Sequence, residues 1–248
     1  MANQSSFIKL EGTIGDVTFY KGRNGFHARQ KGGVSKERIL NDEKFRRTRE
    51  NLAEFSQAAT SSKLLKDVFG EITLRVRDAR IHNRLYSKVL KVLRSDLVND
   101  RGERLVQNGD FSLLADFQFN YNSMMESTLY GQYEVQSGGS DVELVFQPFI
   151  PTKHVLHPKG ATHFRLFVVA AGVDFEQVTY GSSYVASAEF PINTDTLSGI
   201  VLTVPKATGF GPVQFYGLGI EFLQMVNSKY YDLNNRAHNS AKIILIEP

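Results

Sequence analysis

Apolar and polar positions change period twice along this chain. In residues 7–31 the apolar positions fall in short strand-like runs. Phe7-Ile8-Lys9-Leu10 opens one, Val17-Thr18-Phe19-Tyr20 makes the next, and Phe26-His27-Ala28-Arg29-Gln30 alternates and returns. Asn24-Gly25 is the dipeptide that tight hairpin turns favour. Residues 7–31 are therefore expected to form a small antiparallel sheet. Two or three short strands cannot bury a face alone. The sheet must pack on the helices that follow it or pair with another chain.

After Gly32-Gly33 the period becomes helical. Asp42 is an N-cap residue type, and Phe45, Leu52, Phe55 and Ala59 recur at helical spacing, with Phe45 directed into the core. Leu64, Leu65, Val68 and Phe69 carry the stripe on to Gly70. Ile81, Leu85, Val89 and Val92 predict a second helix over about 72–93, although Ile72, Leu74 and Val76 alternate and leave its start open. The two helices make an αα-hairpin that turns near Gly70. The polar stretch 95–109, with Gly102 and Gly109, predicts a domain boundary.

Beyond it the period is two. Strands are predicted over 111–120, 129–136, 142–146, 162–173, 183–190, 199–204, 213–223 and 242–246, separated by Gly-, Pro- and Asn-rich turns. The fold class is then α+β: a small N-terminal β-hairpin sheet plus a helical hairpin, then a C-terminal antiparallel β-sandwich, immunoglobulin-like or jelly-roll. The expected domains are a basic hairpin-and-helix module over 1–100 and a sandwich over 101–248.

Composition narrows this picture. Hydrophobic residues are 42% of the 248 and charged residues 22%, a balance that folds. The absence of Cys excludes disulfides, thiolate metal sites and a cysteine nucleophile. No apolar run reaches the ~18 residues of a membrane span, and no apolar stretch of signal-peptide length follows the polar residues 1–6. The expected location is cytoplasmic, or a particle assembled in the cytoplasm. Charge divides the chain more sharply than the net +3 shows. Residues 1–100 hold 20 Lys/Arg and 12 Asp/Glu, and residues 101–248 hold 9 and 14, giving +8 and −5. A basic half meets nucleic acid, an anionic surface, or the acidic half of a neighbouring copy.

Candidate chemistry is sparse. His154, His157 and His163 are the one histidine cluster, but zinc needs a third or fourth ligand held by further hydrogen bonds, and Pro158 and Gly160 mark a loop. Gly12, Gly15, Gly22 and Gly25 fit hairpin turns, because no Gly-Lys-Ser/Thr follows them and no helix begins there. Gly-x-Ser-x-Gly is absent. Asp141 and Glu143 share one strand face, yet paired acids need a cleft to work as acid and base. No catalytic, metal or cofactor site is assigned, and the chain reads as non-enzymatic.

Several stretches have a specific look. They are Ile8-Lys9-Leu10-Glu11-Gly12-Thr13-Ile14-Gly15-Asp16-Val17-Thr18-Phe19-Tyr20-Lys21, Ala28-Arg29-Gln30-Lys31-Gly32-Gly33-Val34-Ser35-Lys36-Glu37-Arg38-Ile39, Phe45-Arg46-Arg47-Thr48-Arg49-Glu50-Asn51 and Arg101-Gly102-Glu103-Arg104. Together, over about residues 7–110, they resemble an uncharacterised family of bacterial proteins that open with this hairpin-and-helix module. The resemblance implies that the module is a unit; it brings no activity or binding residue with it.

The expected function is structural. The protein self-assembles with copies of itself, into a homo-oligomer or filament, through its N-terminal module, and the sandwich decorates or bridges the assembly. The expected interface is Phe7, Ile8, Leu10, Val17, Phe19, Tyr20, Phe26, Arg29, Arg46, Arg47 and Arg49. The runner-up is a nucleic-acid-associated or ligand-binding module, with Lys21, Arg23, Arg29, Lys31, Lys36 and Arg38 on phosphates.

Overall fold

A computed structural model describes residues 2–30 and 32–247, except for the side chain of Asn234. The chain forms two compact units that divide between Arg49 and Glu50.

The first unit is a four-stranded antiparallel sheet followed by a short helix. Its strands are β1 (Ala2–Asn3), β2 (Gly12–Ile14), β3 (Val17–Gly22) and β4 (Gly25–Gln30), in the order β1-β4-β3-β2. Gly15, at φ +57°, makes the β2–β3 turn, a conformation that costs a residue with a Cβ. The expected Phe7–Leu10 strand is instead an irregular loop. Gln4 ties it down, its side-chain amide accepting from the Leu10 N–H at 2.8 Å and donating to the Leu10 and His27 carbonyls. Helix α1 (Lys36–Asn41) is capped by Ser35, and Asp42 caps a 3-10 turn rather than a long helix.

The second unit begins inside helix α2 (Arg46–Val68) and continues through α3 (Gly70–Arg75) and α4 (Ile81–Arg94). The chain does not reverse at Gly70. It breaks after Arg75, where Val76 is extended, and Asp78 accepts from the Arg80 N–H ahead of α4. The buried side of α2 runs through Glu54, Ala58, Ser61, Leu65 and Val68. Leu52 and Phe55, expected in the core, are 54% and 42% exposed.

Two sheets follow. One joins β5 (Tyr133–Ser137), β6 (Asp141–Phe146) and β10 (Val201–Pro205) in the order β10-β6-β5. The other is built on two long central strands, β7 (His163–Asp174) and β11 (Val213–Val226). Strands β8 (Thr179–Ala186) and β9 (Phe190–Pro191) pair with β7, while β12 (Lys229–Asp232) and β13 (Ser240–Glu247) pair with successive parts of β11. The expected α+β class and sandwich architecture are both present.

Alternation sends the two faces of β7 into two different cores. Phe164, Leu166, Val168 and Ala170 join Val142, Leu144, Leu202 and Val204 in the sandwich interior. Phe167, Val169, Ala171 and Val173 join Leu65, Phe69, Ile72 and Leu85 of the helices. A strand covered on both faces reads as the near-continuous apolar run seen in its sequence. Gly217 on β11 lies under Ile72, where a Cβ would come within 2.6 Å of Cδ1. Residues 111–120 are not a full strand. Phe111–Leu114 is a 3-10 turn, and 116–119 only touches β13, through the Asp116, Phe119 and Ile243 N–H groups. Phe111, Leu114, Phe117 and Phe119 nonetheless all enter the helix-side core.

The expected division near residue 100 is therefore displaced to 49/50. The polar stretch 95–109 is a tightly bonded strap. Buried Asp96 accepts from the backbone N–H groups of Val98, Asn99 and Leu105 and from the Asn99 amide. Burial alone would raise its carboxyl pKa; these donors hold it well below the usual carboxylate range. Arg101 reaches Asn51 at 2.6 Å and Glu50 at 3.8 Å, while buried Glu54 meets Arg94 and Arg104 at 3.6 and 3.4 Å. A Cβ on Gly109 would sit 2.1 Å from the Val92 carbonyl oxygen. The motifs Glu50-Asn51 and Arg101-Gly102-Glu103-Arg104, 50 residues apart, are thus partners in one packed structure.

Candidate assembly interface

Strand register decides which residues of the first unit share a face. Val17, Phe19 and Lys21 of β3 stand opposite Gln30, Ala28 and Phe26 of β4, and Ile14 of β2 stands opposite Val17. That face is apolar. Thr18 and Tyr20 stand opposite Arg29 and His27, with Thr13 and Asn3 beside them, so the other face is polar. Of the expected interface residues, Val17, Phe19 and Phe26 lie together, whereas Tyr20 and Arg29 lie on the reverse side.

The apolar face is only half covered within the unit: Val17, Phe19 and Phe26 are half-buried. Among the described residues of this unit none is buried. Ile14 is 64% exposed and Phe7 94%, with Ile8 and Leu10 exposed in the same loop. Two lysines flank the face, with Lys9 and Lys21 ammonium groups 5.9 and 5.6 Å from the Phe26 ring centre. Residues 1–49 carry 11 Lys/Arg and 5 Asp/Glu, against 18 and 21 in residues 50–248.

The basic residues divide by role. Arg49 is occupied, donating to the Ile39 and Asp42 carbonyls at 2.8 and 2.9 Å, so its guanidinium closes a local turn. Arg46 and Arg47 begin α2 on its exposed side, and Phe45 beside them is half-buried rather than a core residue. Among the residues expected on phosphates, Arg38 pairs with Asp42 at 3.2 Å, Lys36 opens α1, Arg23 sits in the β3–β4 turn, and Lys21 and Arg29 lie on opposite faces. Lys31 lies outside the described residues. The sheet therefore does not gather that set on one surface.

The second unit holds an open surface of opposite charge. The outward residues of the three-stranded sheet are Glu134 and Gln136 on β5, Asp141, Glu143 and Val145 on β6, and Val201 and Thr203 on β10. Glu134 and Glu143 neighbour Val145, which stands opposite the 47% exposed Val201, and Asp141 lies at the far end of the face, with no cation among these positions. Asp141 and Glu143 thus lie on an open sheet face, not in a cleft. His154 bonds the Ile150 backbone and His163 bonds Thr162, and no metal-binding group of three acids or histidines occurs among the described residues. No helix among them is long and apolar enough to cross a membrane.

Sequence reading passed over one row of residues: Arg80, Arg84, Lys88 and Lys91, which borders the buried stripe Ile81, Leu85, Val89 and Val92 of α4. Its signal was present as cations spaced by about one helical turn. No family model, no curated protein and no solved structure matches this chain.

Proposed function

We propose that this is a structural protein that assembles with copies of itself, its basic N-terminal sheet docking on the acidic sheet face of a neighbouring copy. The carrying observation is a four-stranded sheet with an apolar face and no buried residue among those described. A sheet of this size needs its apolar face covered to be stable. The acidic face of β5, β6 and β10 is complementary, with Val145 and Val201 to meet Val17, Phe19 and Phe26, and Glu134, Asp141 and Glu143 to meet Lys9 and Lys21. Two such faces pack as sheets do, about 10 Å apart. Donor and acceptor surfaces differ, so the contact is head-to-tail and generates rings or filaments. The sandwich then bridges neighbours.

A charge exchange tests the pairing. Lys9→Glu with Lys21→Glu should leave a monomer at concentrations where the wild type is oligomeric, measured by light scattering behind size exclusion. Adding Glu134→Lys and Glu143→Lys to the same chain should restore the oligomer. Unchanged assembly of the first variant would count against the proposed donor face. Failure of the second pair to rescue would remove β5, β6 and β10 as the acceptor.

A further inference from the structure

A groove of about 460 Å³ runs along the margin of α4, between the helix and residues 116–121. Arg80, Arg84, Lys88 and Lys91 line one wall, and Phe117 and Tyr121 the other. An adjoining recess of about 580 Å³ shares Arg80, Arg84 and Tyr121 and carries the trough past Asn122. At 1.5 Å rise per residue, Arg80, Arg84 and Lys88 are spaced by about 6 Å, and the row to Lys91 covers about 16 Å.

The charge in this trough is mostly uncompensated. Among the described residues, Arg80, Lys88 and Lys91 have no carboxylate partner, and Lys88 donates only to the Leu113 carbonyl at 3.1 Å. Arg84 is the built element. It pairs with Asp78 and donates to the Gln118 carbonyl at 2.7 Å, and its buried Nε has no acceptor. Its guanidinium lies 5.2 Å from the Phe117 ring centre and 5.7 Å from that of Tyr121, which is 61% exposed. Two carboxylates line the trough: Asp78 is paired with Arg84, and Asp116 is engaged by Lys242 at 3.2 Å.

We infer that this trough binds single-stranded nucleic acid, with the α4 cations on successive phosphates and Tyr121 as a stacking platform. A basic groove with exposed aromatic surface is how proteins hold unpaired strands without reading sequence. Duplex recognition by a helix requires it to protrude into a groove about 12 Å wide. Phe117 and Tyr121 wall α4 on this side, which leaves room for a strand beside the helix and not for a duplex around it. The site shares no residue with the proposed assembly faces.

Fluorescence anisotropy of the full chain with a labelled 12-nucleotide oligo-dT tests this. Binding should weaken with salt, with a log–log slope of about −2 for three phosphates. Tyr121→Ala should reduce affinity by about fivefold or more. Arg80→Glu with Lys91→Glu, both exposed and without side-chain partners among the described residues, should reduce it more than tenfold, with oligomer size and circular dichroism unchanged. Poly-glutamate of equal charge should compete more weakly than unlabelled oligo-dT. Absence of binding at low salt, equal affinity of the double variant, or equal competition by poly-glutamate would overturn the inference.

Discussion

A fragment that starts at residue 101 should not fold, whereas one that starts at Glu50 should unfold cooperatively. The outer face of the six-stranded sheet, with Phe167, Val169 and Phe215, shares one core with Leu65 of α2, Phe69, Ile72 of α3, and Leu85 and Leu93 of α4. Burial of a large apolar side chain contributes about 1.5–3 kcal/mol. Five such residues equal much of the whole net stability of a domain, about 5–15 kcal/mol. The shorter fragment also loses Glu50, Asn51 and Glu54, which anchor Arg101 and Arg104. It should be insoluble, or bind a hydrophobic dye and lack a thermal transition. A sharp cooperative transition in that fragment would show that the sandwich interior suffices alone.

Replacing Arg165 by Leu should be the most damaging single change in the strands. Arg165 on β7 stands opposite Glu221 on β11, with its Nη2 2.5 Å and Nε 2.6 Å from the carboxylate, and it also reaches Glu189 at 3.1 Å. Glu221 is almost fully buried. Removing one partner leaves a charge in a poor solvent for it, at a cost of about 3–5 kcal/mol. For a chain of this size that lowers Tm by roughly 6–20 °C. Arg75 lies near enough to attract Glu221 but donates its hydrogen bonds to Glu71, so it makes up only part of the loss. Arg165→Leu with Glu221→Leu should recover most of the loss, because an apolar pair of similar volume leaves no unpaired charge. A single variant that melts within a degree or two of the wild type would contradict this reading.

Strands that alternate over five or more residues were legible in the sequence. β6, β10, β11 and β13 fall where their periodicity places them, and β7 is recognisable as a doubly covered strand. Four features were not, each for a local reason. Phe117-Gln118-Phe119 imitates a strand, but its chain bends through 3-10 geometry and only grazes β13. Residues 95–109 have the polarity of a linker because their polar groups are consumed internally, by Asp96 above all. The Leu52–Phe55 stripe has core periodicity yet faces outward, since α2 turns Glu54 and Ala58 inward to Arg104 and the helix-side core. β12, fully exposed, offers no alternation to read.

The candidate surfaces were legible in part. Hairpin and charge pointed to the N-terminal module, but the separation of Phe19 and Phe26 from Tyr20 and Arg29 is a matter of strand register. The acidic face needed β10 beside β6, a pairing between segments about 60 residues apart that no local pattern announces. The α4 row was visible in sequence, but exposed charge on a helix is ordinarily a solvated face. Only the wall formed by Phe117 and Tyr121 turns it into a groove.

Sedimentation velocity on the full chain and on the fragment starting at Glu50, at low and high salt, tests self-assembly through the N-terminal unit most directly. The full chain should sediment at low salt as a species much larger than its 27.9 kDa monomer, shrinking as salt screens the charged contact. The fragment should be a folded monomer in both conditions. A full chain that stays monomeric across the concentration range, or a fragment that assembles as the full chain does, would contradict the account.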